Sequence, residues 1–243
     1  MYSIFIKELN TFFSSLIGYI VIGVFLLMLG LTMFVFPDFS LLNYNYATLD
    51  QLFDLGPMIF LFLIPGLTMR TFAEEKQAGT IELLATKPIT DWSIVLGKFL
   101  ASWLLVAIAL LPTLLYYYTV YQLGSPKGNL DSGAIAGSYL GLLLLGGVFT
   151  AIGIFASSLT VNQIVGFILG LFLCFLFYWG FDFLSRLPVF IGKWDETVQM
   201  IGIDYHYTSI SRGVIDSRDI IYFVSVTGVF LAATLTVMDR RRW

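Results

Sequence analysis

Charge is scarce in this chain. Only 12% of its 243 residues are Asp, Glu, Lys or Arg, about half of what a soluble domain carries. Beside a hydrophobic share of 58%, that scarcity argues against an ordinary soluble domain and points to lipid. The net charge of −3 is too small to recruit nucleic acid or any strongly charged partner. Cysteine is nearly absent: Cys174 stands alone, so no intrachain disulfide and no cysteine metal cluster forms, and its apolar neighbours mark it as packing. Histidine is equally rare. His206 is the only one, and one imidazole makes no metal centre. No Gly-x-x-x-x-Gly-Lys-Ser/Thr stretch occurs, so this chain holds no nucleotide in a phosphate loop. Nor is a cleavable leader evident, because the first apolar run is too long for one and lacks a small-residue site before Pro37.

What is abundant is apolar length. Runs of the size needed to cross a ~30 Å hydrocarbon core fall at about 16–36, 52–72, 93–121, 134–156, 163–180 and 220–238. These define an all-α membrane protein of six spans in a single domain over residues 1–243. The second run is strongly apolar only over Leu55–Met69, and Pro57 and Pro65 are expected to break or kink it. Before the first span, Tyr2, Phe5, Ile6, Leu9, Phe12 and Phe13 recur at helical spacing, with Ser3, Lys7, Asn10, Thr11 and Ser14 on the other side. Such a helix either lies flat in the membrane interface or extends the first span. Gly137 and Gly141, and again Gly166 and Gly170, give small-residue faces for close helix contact. The stretch 181–219 is too polar to span and too apolar to be disordered, which suits short interfacial or re-entrant helices.

The organising stretch is Arg70–Lys98. Eight charged side chains gather there between two apolar runs. Each would cost about 2.5–3.5 kcal/mol at the centre of a span, so the loop is expected in water or against a soluble partner, with Lys98 snorkelling at the start of span three. Gly79 interrupts any helix leaving the membrane. Thr80 suits an N-cap, Glu82 suits the first turn, and Ile81, Leu83 and Leu84 supply an apolar side. Pro88 stops this short helix, and Thr90 or Asp91 caps the next one. An ordinary solvated turn fits the same pattern.

Lysine and arginine set the orientation. With the N-terminus inside, the cytoplasmic set is Lys7, Arg70, Lys76, Lys87, Lys98, Arg240, Arg241 and Arg242. The outer set is Lys127, Arg186, Lys193, Arg212 and Arg218, and the first outer loop has none. Both termini and the organising loop are therefore expected in the cytoplasm. The outer mouth is expected to lack a dense basic or acidic cluster that would name the charge of a substrate. Five of the six spans carry no acid in their interiors, which weakens an ion relay. Glu74-Glu75 matches the paired glutamates of membrane proteases of the CAAX-processing type. Gly79 stands where that motif needs Arg, however, and the further histidines are missing. We therefore expect no enzyme.

Several stretches carry a family resemblance. They are Lys7-Glu8-Leu9 before an aromatic-rich span, and Pro65-Gly66-Leu67-Thr68-Met69-Arg70. The most specific is Ala73-Glu74-Glu75-Lys76-Gln77-Ala78-Gly79-Thr80-Ile81-Glu82-Leu83-Leu84-Ala85-Thr86-Lys87-Pro88. Ser157-Ser158-Leu159-Thr160 with Asn162-Gln163, and Arg212-Gly213-Val214-Ile215-Asp216, also fit. Across its length the chain resembles ABC-2-type permease subunits, and within them the gliding-motility-associated permeases of Bacteroidetes. The resemblance implies a bacterial inner-membrane exporter subunit that couples to a separate ATP-binding subunit and pairs with a second permease, identical or related. ATP and Mg would sit on the partner, and this chain would bind no cofactor. Gly79–Ala85 would be the coupling helix, approached by Glu74 and Glu75 and ended at Pro88. The N-terminal helix, with Phe5, Lys7, Glu8 and Leu9, would be a connecting helix near the ATPase. Short helices would lie at the outer mouth. The other readings are an ion-coupled carrier and a structural anchor for a motility or secretion machine.

Overall fold

The computed structural model describes residues 1–36, 40–41, 47–80, 90–190, 192 and 194–239. Helix α1 covers Tyr2–Ser14 and α2 Leu16–Gly30, which runs on as a π-helical turn over Leu31–Val35. Then come α3 (Asp50–Thr68), α4 (Arg70–Gln77), α5 (Asp91–Leu110), α6 (Leu114–Leu123) and α7 (Ser132–Leu159). The chain continues through α8 (Gln163–Phe175), α9 (Phe181–Ser185), α10 (Asp195–Gln199), α11 (Ile203–Ser211) and α12 (Ser217–Asp239). Among the described residues, six helical segments are long and apolar enough to cross a membrane.

Local chemistry explains where these segments start and bend. Ser15 adopts an extended backbone, so α1 is not a continuation of the first span. Asp131 caps α7 by accepting from the N–H groups of Gly133 and Ala134, and Asn162 caps α8 through Ile164. Thr90, rather than Asp91, caps α5 by accepting from the Ser93 N–H. Pro112 falls in a 3-10 turn, Leu111–Thr113, that divides the third span into α5 and α6. The apolar pattern of the sequence shows that span as one run. The fifth span also reaches further than its apolar run, through a π-helical turn at Leu176–Gly180 into α9.

Helix α7 is the axis of the bundle. It buries Leu142, Leu145, Val148, Phe149, Ile152 and Ile154 completely. Its glycines are where neighbours press in. A Cβ at Gly146 would meet Val106, one at Gly141 would meet Ile210, and one at Gly153 would overlap the Thr68 hydroxyl. The small-residue faces are therefore consumed by contacts within the chain, with α5, α11 and α3.

Candidate functional site

Span two does not end where its apolar run ends. It breaks at Met69 and resumes as α4, out to Gln77. Hydroxyl groups cause the break by intercepting the helical ladder. The Thr71 hydroxyl donates to the Thr68 carbonyl, and the Ser157 hydroxyl donates to the Met69 carbonyl at 2.8 Å. Those carbonyls would otherwise receive the N–H groups of Phe72 and Ala73. Both N–H groups turn instead to the Ser157 oxygen, at 3.1 Å each. One buried serine on α7 thus satisfies three backbone groups at the bend. Lys76 fixes the far end of α4 by donating to the Ser158 carbonyl, where a cation suits the C-terminus of α7.

A second attachment joins α4 to α1 and α5. Lys98, at 1% exposure, does not snorkel. Its ammonium donates to Glu8 Oε1 at 2.9 Å and to the Thr71 carbonyl at 2.7 Å, and forms an ion pair with Glu75 Oε1 at 2.9 Å. Its ammonium also lies 5.1 Å from the centroid of the Phe72 ring. Lys7 closes the cluster, 2.9 Å from Glu75 and 3.5 Å from Glu8. Burial works against the Lys7 charge, but Glu75 and then Glu8 outweigh it and hold the amine above its ordinary value of 10.5. The expectation that the charges of this stretch all lie in water is corrected for Glu75 and Lys98. Their charges are neutralised inside the protein, two acids against two bases with Glu8 and Lys7. The apolar side expected for α1 is corrected too: its buried residues are Ile4, Glu8 and Phe12, of which only Phe12 belongs to that set, while Tyr2 and Phe13 of the set are exposed. Phe5 and Leu9 are half-buried beside them.

Glu74 remains outside, paired with Arg70 at 2.8 Å one turn earlier. Between α1 and α4 a cleft of about 270 Å³ is lined by Thr11, Ser15, Glu74, Glu75 and Thr80 among others. Helix α4 stops in a Schellman closure, with the Gly79 N–H on the Lys76 carbonyl and the Thr80 N–H on the Glu75 carbonyl. Gly79 takes φ +68°, the left-handed conformation that glycine adopts without strain. Thr80 thus closes α4. Ile81, Glu82, Leu83, Leu84 and Pro88, the core of the expected coupling helix, lie outside the described residues.

The opposite end of the bundle is polar in a way the sequence concealed. Asp50 and Asp54 from α3, Asp182 from α9 and Asp204 from α11 line two cavities of about 470 and 460 Å³. Helix α11 is seated there by the Tyr207 hydroxyl donating to the Phe53 carbonyl at 2.7 Å and by Ser138 donating to the Ser211 carbonyl at 2.8 Å. His206 is fixed beside it, with Nδ1 2.7 Å from Asp219, Nε2 2.9 Å from the Met200 carbonyl, and its ring stacked 3.9 Å from Tyr222. Among the described residues no group of three or more His, Cys, Asp or Glu is arranged to hold a metal ion.

Six helical segments long and apolar enough to cross a membrane thus carry a polar clamp at one end and a polar chamber at the other. Residues 2–187 match the family described as ABC-2 family transporter protein, and the chain belongs to that family. It is thereby a membrane permease component of an ABC transporter rather than its catalytic ATPase. No curated protein matches the chain.

Proposed function

We propose that this chain is the permease of an ATP-driven exporter and that residues 70–88 dock a separate ATP-binding subunit. The observation that carries the reading is the anchorage of α4. A docking element transmits displacement only if its root is fixed, and this root is tied to α7 by Ser157 and Lys76 and to α1 and α5 by Glu75. Pulling on the chain beyond Gly79 would load three other helices together. In this reading Glu74, Gly79, Thr80, Ile81, Glu82, Leu83 and Leu84 form the contact, and Pro88 ends it. Helix α1, held through Glu8, moves with the same block. The partner binds ATP and Mg, a second permease completes the pathway, and both termini face the cytoplasm of a bacterium whose inner membrane holds the complex. Service in gliding motility or secretion follows from the sequence resemblance.

The test is purification from the native membrane in mild detergent with identification of what comes along. The wild-type chain is expected to retain an ATPase bearing a phosphate-binding loop. Leu83→Asp or Leu84→Asp is expected to release it without loss of membrane insertion. An ATPase that stays bound to both variants would refute the docking role.

A further inference from the structure

The chamber at the end of the bundle remote from α4 has a chemistry that the transporter reading does not require. Its two cavities share Tyr178, Asp204, Thr208 and Arg212. Each is within the ~300–1,000 Å³ range of small-molecule sites. The walls come from the start of α3, the end of the fifth span, and the stretch 199–214 that contains α11. The charge of the lining is lopsided. Asp50, Asp54, Asp182 and Asp204 face it, against the single guanidinium of Arg212. Arg186 approaches from outside and is occupied by Asp182 at 2.7 Å. Aromatic rings of Tyr178, Trp179 and Tyr205 complete the walls.

The size of the ligand follows from the spacing of the acids. They are not grouped as a metal ion would need, so a compact inorganic cation has no nest here. An organic cation spreads its charge over a larger body, and that body gains from aromatic faces as well as carboxylates. An anion would instead meet the carboxylates of Asp50, Asp54 and Asp204, which outnumber the Arg212 guanidinium once Asp182 is paired with Arg186. We infer that this chamber binds an organic cation, a protonated or quaternary amine carrying an apolar group. Asp204 is the central contact, since it stands in the wall common to both cavities. Burial raises its carboxyl above the ordinary aspartate value of 3.8, and Asp182 adds to this while the Tyr178 hydrogen bond and Arg186 oppose it. A bound cation relieves that strain on the ionised form.

The probes are benzyltrimethylammonium and, as a control of similar size and opposite charge, benzenesulfonate. Binding is read by tryptophan fluorescence of the full chain, with any co-purifying partner, in nanodiscs, because Trp179 lines the chamber. The cation is expected to bind saturably and the anion not at all. Asp54→Asn with Asp204→Asn should weaken the cation at least tenfold, and Trp179→Phe should remove most of the signal. Equal responses to both ions, or no saturable response to the cation, would overturn the inference. So would unchanged affinity in the double Asn variant. If that variant fails to fold, the cation–anion contrast in the wild-type chain decides alone. No ATPase is needed for this readout, so its result is separate from that of the docking experiment.

Discussion

Lys98→Met is the most informative single change. The ammonium pairs with two carboxylates and donates to a carbonyl in a site almost closed to water. Its removal leaves Glu8 and Glu75 facing one another with only Lys7 between them, and the Lys7 side chain is 54% exposed. Breaking a buried ion pair by deleting one partner costs about 3–5 kcal/mol. Because Lys7 remains, the loss should fall near the lower end, about 3 kcal/mol. The first assay is denaturant unfolding in detergent, followed by intrinsic fluorescence. The second is local. Ile4 is 5% exposed on the buried side of α1, and the one native cysteine, Cys174, is fully buried. A thiol reagent therefore reports on Ile4→Cys alone. Labelling should be slow in the otherwise wild-type chain and much faster with Lys98→Met, as α1 lifts. The pair Glu8→Leu with Lys98→Met should recover most of the stability, because apolar side chains carry no desolvation penalty and Lys7 still matches Glu75. Lys98→Met within about 0.5 kcal/mol of wild type, with unchanged labelling, would refute the clamp.

Two other substitutions probe the remaining contacts. Ser157→Ala strips partners from two buried N–H groups and one carbonyl, and should cost about 2–4 kcal/mol by the same unfolding assay, whereas Ser157→Thr keeps the hydroxyl and should cost less. Asp204→Asn has a pH signature. A carboxyl raised in the folded state keeps its proton longer there than in the unfolded chain, so folding is favoured while both are protonated. That advantage is lost as pH climbs from the ordinary 3.8 through the raised value. The Asn variant should therefore melt higher than wild type at pH 7.5 and show no gain near pH 3.5. A variant that is less stable at neutral pH would contradict the burial argument.

The broad plan was legible in the sequence because span length and apolar content are read directly along the chain. So was the end of α4, since Gly79 interrupts a helical pattern where a left-handed residue is needed. The clamp was not. Lys98 reads as a snorkelling lysine because its position near the start of an apolar run is all that the sequence displays. Its partners Glu8 and Glu75 lie 90 and 23 positions away, and only the packing of α1 against α5 brings them together. Glu8 hides for the same reason, as a carboxylate on the helix face that turns inward between Ile4 and Phe12. The chamber is a similar case: Asp50, Asp54, Asp182 and Asp204 are scattered, so no stretch announces a charge at that end of the bundle. The break at Met69 has a nearby cause in Thr68 and Thr71, but the deciding hydroxyl belongs to Ser157, a span pair away.

The clamp also constrains how the protein is made. Glu8 and Lys98 are separated by 90 residues of synthesis, roughly 5–20 seconds at usual elongation rates. Throughout that interval Glu8 is without the Lys98 ammonium. Lys98 then emerges at the head of the third span, and only then can α1 dock on α5. The clamp therefore closes only once a charge made late meets another made near the start. Chains with Glu8 neutralised should linger on insertion and quality-control machinery rather than reach the finished membrane.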